Sequence, residues 1–167
     1  SVLSQAVSVL SAAAAPPTTR ILAANVIISA VALTNIAGLS ASVIAGGIYR
    51  LDAQLGVLRG VAAQPYKYGL TFPAMTQARG TVKATLSVVQ GLGSLSSRPQ
   101  ETLFDGAASG SIIISTLSTT TLTALVAYYG FFQVSTGGVI QLQAGASAGT
   151  AAITIVSGSY MQVFKIG

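Results

Sequence analysis

Beyond Arg20 the chain is cut into short pieces by glycine and proline, and this punctuation limits its fold more than any other feature. Breaks such as Ala45-Gly46-Gly47, Gly60, Pro73, Gly91-Leu92-Gly93, Gly106, Gly137-Gly138, Gly145 and Ser157-Gly158 recur, many at intervals of roughly ten residues. No piece between them sustains a long helical period, and none is followed by a βαβ rhythm. The pieces are rich in Val, Ile, Leu and Thr, and several alternate apolar with polar residues. About eight to ten short strands are predicted, in an all-β antiparallel sandwich of the jelly-roll type.

Individual segments show the alternation. Residues 48–52 place Tyr49 and Leu51 on one face and Arg50 and Asp52 on the other. Residues 54–60 form the next expected strand. Tyr66 to Phe72 alternates and stops at Pro73. Residues 80–90 set Val82, Ala84, Leu86 and Val88 against Thr81, Lys83, Thr85 and Ser87. Residues 159–166 alternate through the end of the sequence. Asn35-Ile36-Ala37-Gly38 reads as a bend or bulge, and Gly130 as a bulge inside 122–134. Gly46-Gly47 and Gly137-Gly138 read as hairpin glycines, the second returning 139–144 onto 122–134.

The first nineteen positions differ. Val2, Leu3, Val7 and Leu10 line one side of a short helix or an extended arm, and Pro16-Pro17 ends it. The expected division is an arm and linker over 1–19 and a sandwich domain over 20–167. The segment resembles an export signal only superficially, because the first cation is Arg20; it is read as part of the mature protein.

Composition narrows function by exclusion. The chain has no His and no Cys. The usual zinc, haem and iron–sulfur ligand sets and His- or Cys-dependent catalysis are thereby removed. The acids are Asp52, Glu101 and Asp105 alone; the last two, four apart, read as solvated loop residues or one helical turn. No calcium-loop spacing or phosphate-cradling glycine motif occurs. The expectation is a protein that is not an enzyme and takes no cofactor, metal or small-molecule substrate. The net charge is +5, but Arg20, Arg50, Arg59, Lys67, Arg79, Lys83, Arg98 and Lys165 are dispersed, so no specific nucleic-acid stripe is expected. The longest low-charge stretch, 21–49, is broken by Asn, Ser, Thr and Gly, against a spanning helix, and no aromatic girdles suggest a membrane barrel.

What remains is a neutral chain. Charged residues make up 7% and hydrophobic ones 51%. A free-standing domain usually carries about 25% charge. Few charges need desolvating when such a surface meets protein, so an oligomer or assembly component is expected. Tyr128, Tyr129, Phe131 and Phe132 share one strand, and consecutive residues point to opposite faces. One face fills a core; the other needs a second cover, which a subunit interface supplies. These four, with Val2, Leu3, Val7 and Leu10, are the expected subunit or shell contacts.

Two stretches carry a resemblance. Residues 30–51, with Leu33, Leu39, Ala45, Gly46, Tyr49 and Leu51, resemble the opening of a jelly-roll domain found in tailed-phage virion proteins. Residues 138–144, GVIQLQA, followed by 151–156 and Gly158-Ser159-Tyr160-Met161, are similar to that family's ending. The resemblance spans about residues 20–167 and implies a non-enzymatic structural module, akin to the trimeric heads of tumour necrosis factor and complement. It implies a capsid decoration or cement protein, a homotrimer bound to the major capsid protein on the outside of the assembled shell. A tail-fibre or tail-tip receptor-binding module is one alternative, and a pilus-like or adhesion filament subunit is another.

Overall fold

The computed structural model describes residues 16–59, 66–87, 100–106, 110–117, 123–146 and 152–167. Among them are twelve strands. In chain order these are β1 (Thr18–Ile21), β2 (Val26–Ile28), β3 (Thr34–Val43), β4 (Ile48–Arg59), β5 (Tyr66–Phe72) and β6 (Met75–Ser87). Then come β7 (Gln100–Gly106), β8 (Gly110–Leu117), β9 (Thr123–Val134), β10 (Gly138–Ala146), β11 (Ile153–Ile155) and β12 (Tyr160–Lys165). The segments expected at 48–52 and 54–60 are one long strand, β4.

Two antiparallel sheets pack as a sandwich. The larger has the order β1-β12-β4-β9-β6-β7, with β11 paired to β4 past the end of β12 and β2 paired to β11. The smaller has the order β3-β10-β5-β8. Period-2 alternation delivers one apolar set from each sheet to the space between them. The larger sheet contributes Leu51, Leu55, Val82, Val126, Phe132 and Met161; the smaller contributes Ile36, Leu39, Leu70, Phe72, Ile140 and Leu142. Rings bridge the layers: Phe72 lies 5.3 Å from Phe132, and Tyr68 meets Tyr128 edge-on at 6.2 Å.

Two turns do more than reverse the chain. The turn at 44–47 carries it from β3 in the smaller sheet to β4 in the larger, and 135–137 carries it from β9 back to β10. Neither is the expected hairpin. The expected pairing of 139–144 onto 122–134 does not form, because β4 and β6 already occupy both sides of β9. β10 pairs with β3 and β5 instead, where Ile140 and Leu142 complete the opposite wall of the core. The two crossovers are joined: Gly46 N–H donates to Val134 O (2.8 Å) and Val134 N–H to Gly47 O (3.1 Å). Gly46 has φ +76°, and a Cβ on Gly47 would sit 2.5 Å from the Tyr49 ring, so the sequence needs both glycines there.

Bulges fall in only one of the two expected places. Gly38 has φ +87°, and β10 slips register against β3 between Gln141 and Gln143. Gln141 fills the resulting gap, donating from Nε2 to Ile36 O and Leu39 O, both at 2.9 Å. Gly130 is not a bulge: its register runs unbroken against Leu51 and Gly80.

At the start of the described chain, β1 pairs along its length with β12, from Thr18 opposite Val163 to Ile21 opposite Tyr160. Strand pairing at this end therefore begins at Thr18. Arg20 Nε donates to Ser40 O (3.3 Å), tying β1 to the edge of β3.

Candidate interaction face

The outward face of the larger sheet is built from the positions that alternate with the core. On β9 these are Leu125, Tyr129 and Phe131, all exposed; Tyr129 retains 46% of its accessible surface and Phe131 42%. Tyr128 and Phe132, their neighbours in sequence, are buried at 1% and 3%. The four aromatic residues thus divide by parity. Tyr128 and Phe132 belong to the core, and Tyr129 and Phe131 form the outward pair. Val2, Leu3, Val7 and Leu10 lie outside the described residues.

Strand register arranges the face in rows. One runs Phe164, Arg50, Phe131, Arg79 across β12, β4, β9 and β6. The next runs Gln162, Asp52, Tyr129, Thr81. Tyr129 and Phe131 meet edge to face, with ring centroids 5.6 Å apart. The Arg50 guanidinium lies 4.1 Å over the Phe164 ring, a half-buried contact worth roughly 0.5–2 kcal/mol. Its Nε is buried and makes no hydrogen bond with the described residues. Tyr160 donates its hydroxyl to Asp52 Oδ1 at 3.2 Å. Partial burial, followed by the Asp52 charge and that hydrogen bond, raises the Tyr160 pKa.

Two hollows open along the larger sheet. One, about 200 Å³, lies beside Phe131 between Ile48, Arg79 and Gln133. The other, about 360 Å³, opens where Gly56 leaves an outward position without a side chain, between Leu58, Leu125 and Val156. A Cβ on Gly56 would meet Val156 at 3.3 Å, so the glycine also seats the turn leading into β12.

Charge is distributed more deliberately than spacing suggested. Glu101 and Asp105 lie on strand β7, neither in a loop nor on a helical turn. The register sets Lys83 opposite Glu101 and Arg79 opposite Asp105. The signal was present in the sequence: cations four apart face acids four apart when the strands run antiparallel. All three acids of the chain therefore lie in the larger sheet. No group of three His, Cys, Asp or Glu able to hold a metal occurs among the described residues. Among them, too, no helix is long and apolar enough to cross a membrane. The face offers a neutral mixture of rings, amides and charges of both signs, which suits packing against another protein surface.

No family model matches the chain, and no curated protein matches it. Among solved structures, the chain aligns with one described as the structure of infectious bursal disease virus Gx strain. That alignment has 10% identity and a TM-score of 0.21, and covers 92% of this chain and 38% of the other.

Proposed function

We propose that this chain is a structural protein of a virion, a decoration or cement protein that assembles as a trimer and binds the outside of an assembled capsid. One observation carries the reading. Tyr129 and Phe131 stand exposed in the middle of the larger sheet, on β9, where edge pairing cannot cover them. A second protein surface laid on that face would bury them. The two-sheet architecture and the scarcity of charge support the same reading. The strand order, with β1-β12-β4-β9-β6-β7 packed on β3-β10-β5-β8, is compatible with the jelly-roll reading.

The mechanism is linkage. A protein that binds the assembled shell and not its separate subunits stabilises the shell by the free energy of that binding. The chain contributes apolar area and shape, and no bond is made or broken. Two measurements test it. The native mass of the purified chain is expected at about 50 kDa, three times 16.7 kDa. Electron cryomicroscopy of the particle that carries it is expected to show its density on the icosahedral shell. Density confined to the tail would overturn the decoration reading in favour of an attachment module.

A further inference from the structure

The lateral edges of the sandwich are guarded unequally. β1 has four residues, and its Arg20 occupies a carbonyl on the edge of β3. β3 is bent at Gly38. β7 carries Glu101 and Asp105. Short length, bends and charge are the means by which proteins keep open edges from pairing with other chains. β8 differs. Its sequence, GSIIISTL, has neither charge nor proline, and among the described residues it pairs with β5 alone. A register shift against β5 lies at Tyr68/Gly69, and among the described residues no strand pairs with the other side of β8.

We infer that this edge of β8 receives residues 1–15 of a second copy as an added strand. The donor segment matches chemically: SVLSQAVSVLSAAAA has no charge and no proline. It also leaves from the right place. Residues 1–15 join the sandwich through Pro16-Pro17 beside β1, and β1 and β7 stand at opposite ends of the larger sheet's order. Five strand spacings separate them, roughly 24 Å. β8 follows β7 on that far side. A neighbour placed side by side therefore brings its β7–β8 edge against this copy's β1. Residues 1–15 span up to ~50 Å when extended, ample for the transfer. Backbone pairing gives the affinity, as in other strand additions. Each copy donates one segment and accepts one. Such a head-to-tail contact closes into a ring when the rotation allows it, and here the inference rests on the trimer of the proposed function.

The absence of native cysteine gives a clean test. A tagged Ser8→Cys chain and an untagged Ser115→Cys chain are co-expressed and treated with a bis-maleimide of about 10 Å reach; a doubly substituted chain is treated separately. The expected product is a conjugate of one tagged and one untagged chain. Deleting residues 1–15 should convert the trimer to a monomer with an unchanged β-sheet circular dichroism spectrum. A loop within the doubly substituted chain, without conjugates between chains, would show that each copy covers its own edge, and would overturn the inference. A trimer that survives the deletion would also overturn it while leaving the trimer itself intact. A full-length chain that is monomeric, without conjugates, would remove both.

Discussion

Tyr128 places a hydroxyl in the core where no hydrogen-bond partner answers it among the described residues. Its ring is well used, packed edge-on against Tyr68 in the opposite sheet. The oxygen is the costly part, since a buried unsatisfied polar group forfeits about 1–3 kcal/mol. Tyr128→Phe should therefore leave stability unchanged or raise it by about 1 kcal/mol, read from the urea midpoint. A loss larger than that would mean the hydroxyl has a partner. The same burial, with Tyr68 and Tyr66 nearby, raises the Tyr128 pKa well above its ordinary value. The consequence has a definite sign. Above pH ~10 the unfolded chain releases this proton while the folded chain keeps it, so stability falls as pH rises. Below that the residue gives no slope. Tyr128→Phe should make the decline between pH 9 and 11 shallower; an identical decline in both proteins would place the titration elsewhere. The ring's inward direction is legible in the sequence from parity, but its unanswered oxygen depends on what the other sheet places opposite it.

β9 separates two roles by one position. Phe132 is buried, stacks on Tyr49 at 5.5 Å and touches Phe72. Phe132→Ala is expected to cost about 3–5 kcal/mol in chemical denaturation. Phe131→Ser removes an exposed ring and should change stability by less than about 1 kcal/mol. It should nevertheless weaken attachment to particles, measured by cosedimentation. Equal effects on stability would contradict the outward placement of Phe131. Elements of this kind are readable because a strand's alternation is local. Tyr66 to Phe72 and its stop at Pro73 are found where the sequence puts them, and Val82 and Ala84 are buried as their spacing requires. Pairing is not local. Nothing within 135–144 distinguishes a hairpin from a crossover; the difference lies in β4 and β6 having claimed both sides of β9. β7 was obscured similarly, because acids four apart suit a helical turn until Arg79 and Lys83 are set opposite them.

At the scale of the molecule, low charge means that the proposed association would rest on apolar contact and backbone pairing. Salt screens exposed charges and leaves such contacts largely untouched. Raising sodium chloride from about 0.1 to 1 M should not dissociate the proposed trimer, as read by analytical ultracentrifugation. Salt-induced dissociation would instead point to Arg50, Arg79 and Lys83 as the principal contacts. The all-β class and the neutral surface are visible in composition and punctuation alone. The order of strands is not, because it joins residues far apart in sequence.

The pairing of β1 with β12 sets a timetable for synthesis. Thr18 leaves the ribosome long before its partner Val163 is made. β4 waits as well, since β12 covers one of its sides and β9 the other. The larger sheet therefore cannot close until β12 has been made, and folding must bring together segments far apart in sequence. Such non-local pairing folds slowly and leaves strand edges open during the delay. Until β12 is made, the sides of β1 and β4 that it covers are open to any chaperone that shields uncharged edges.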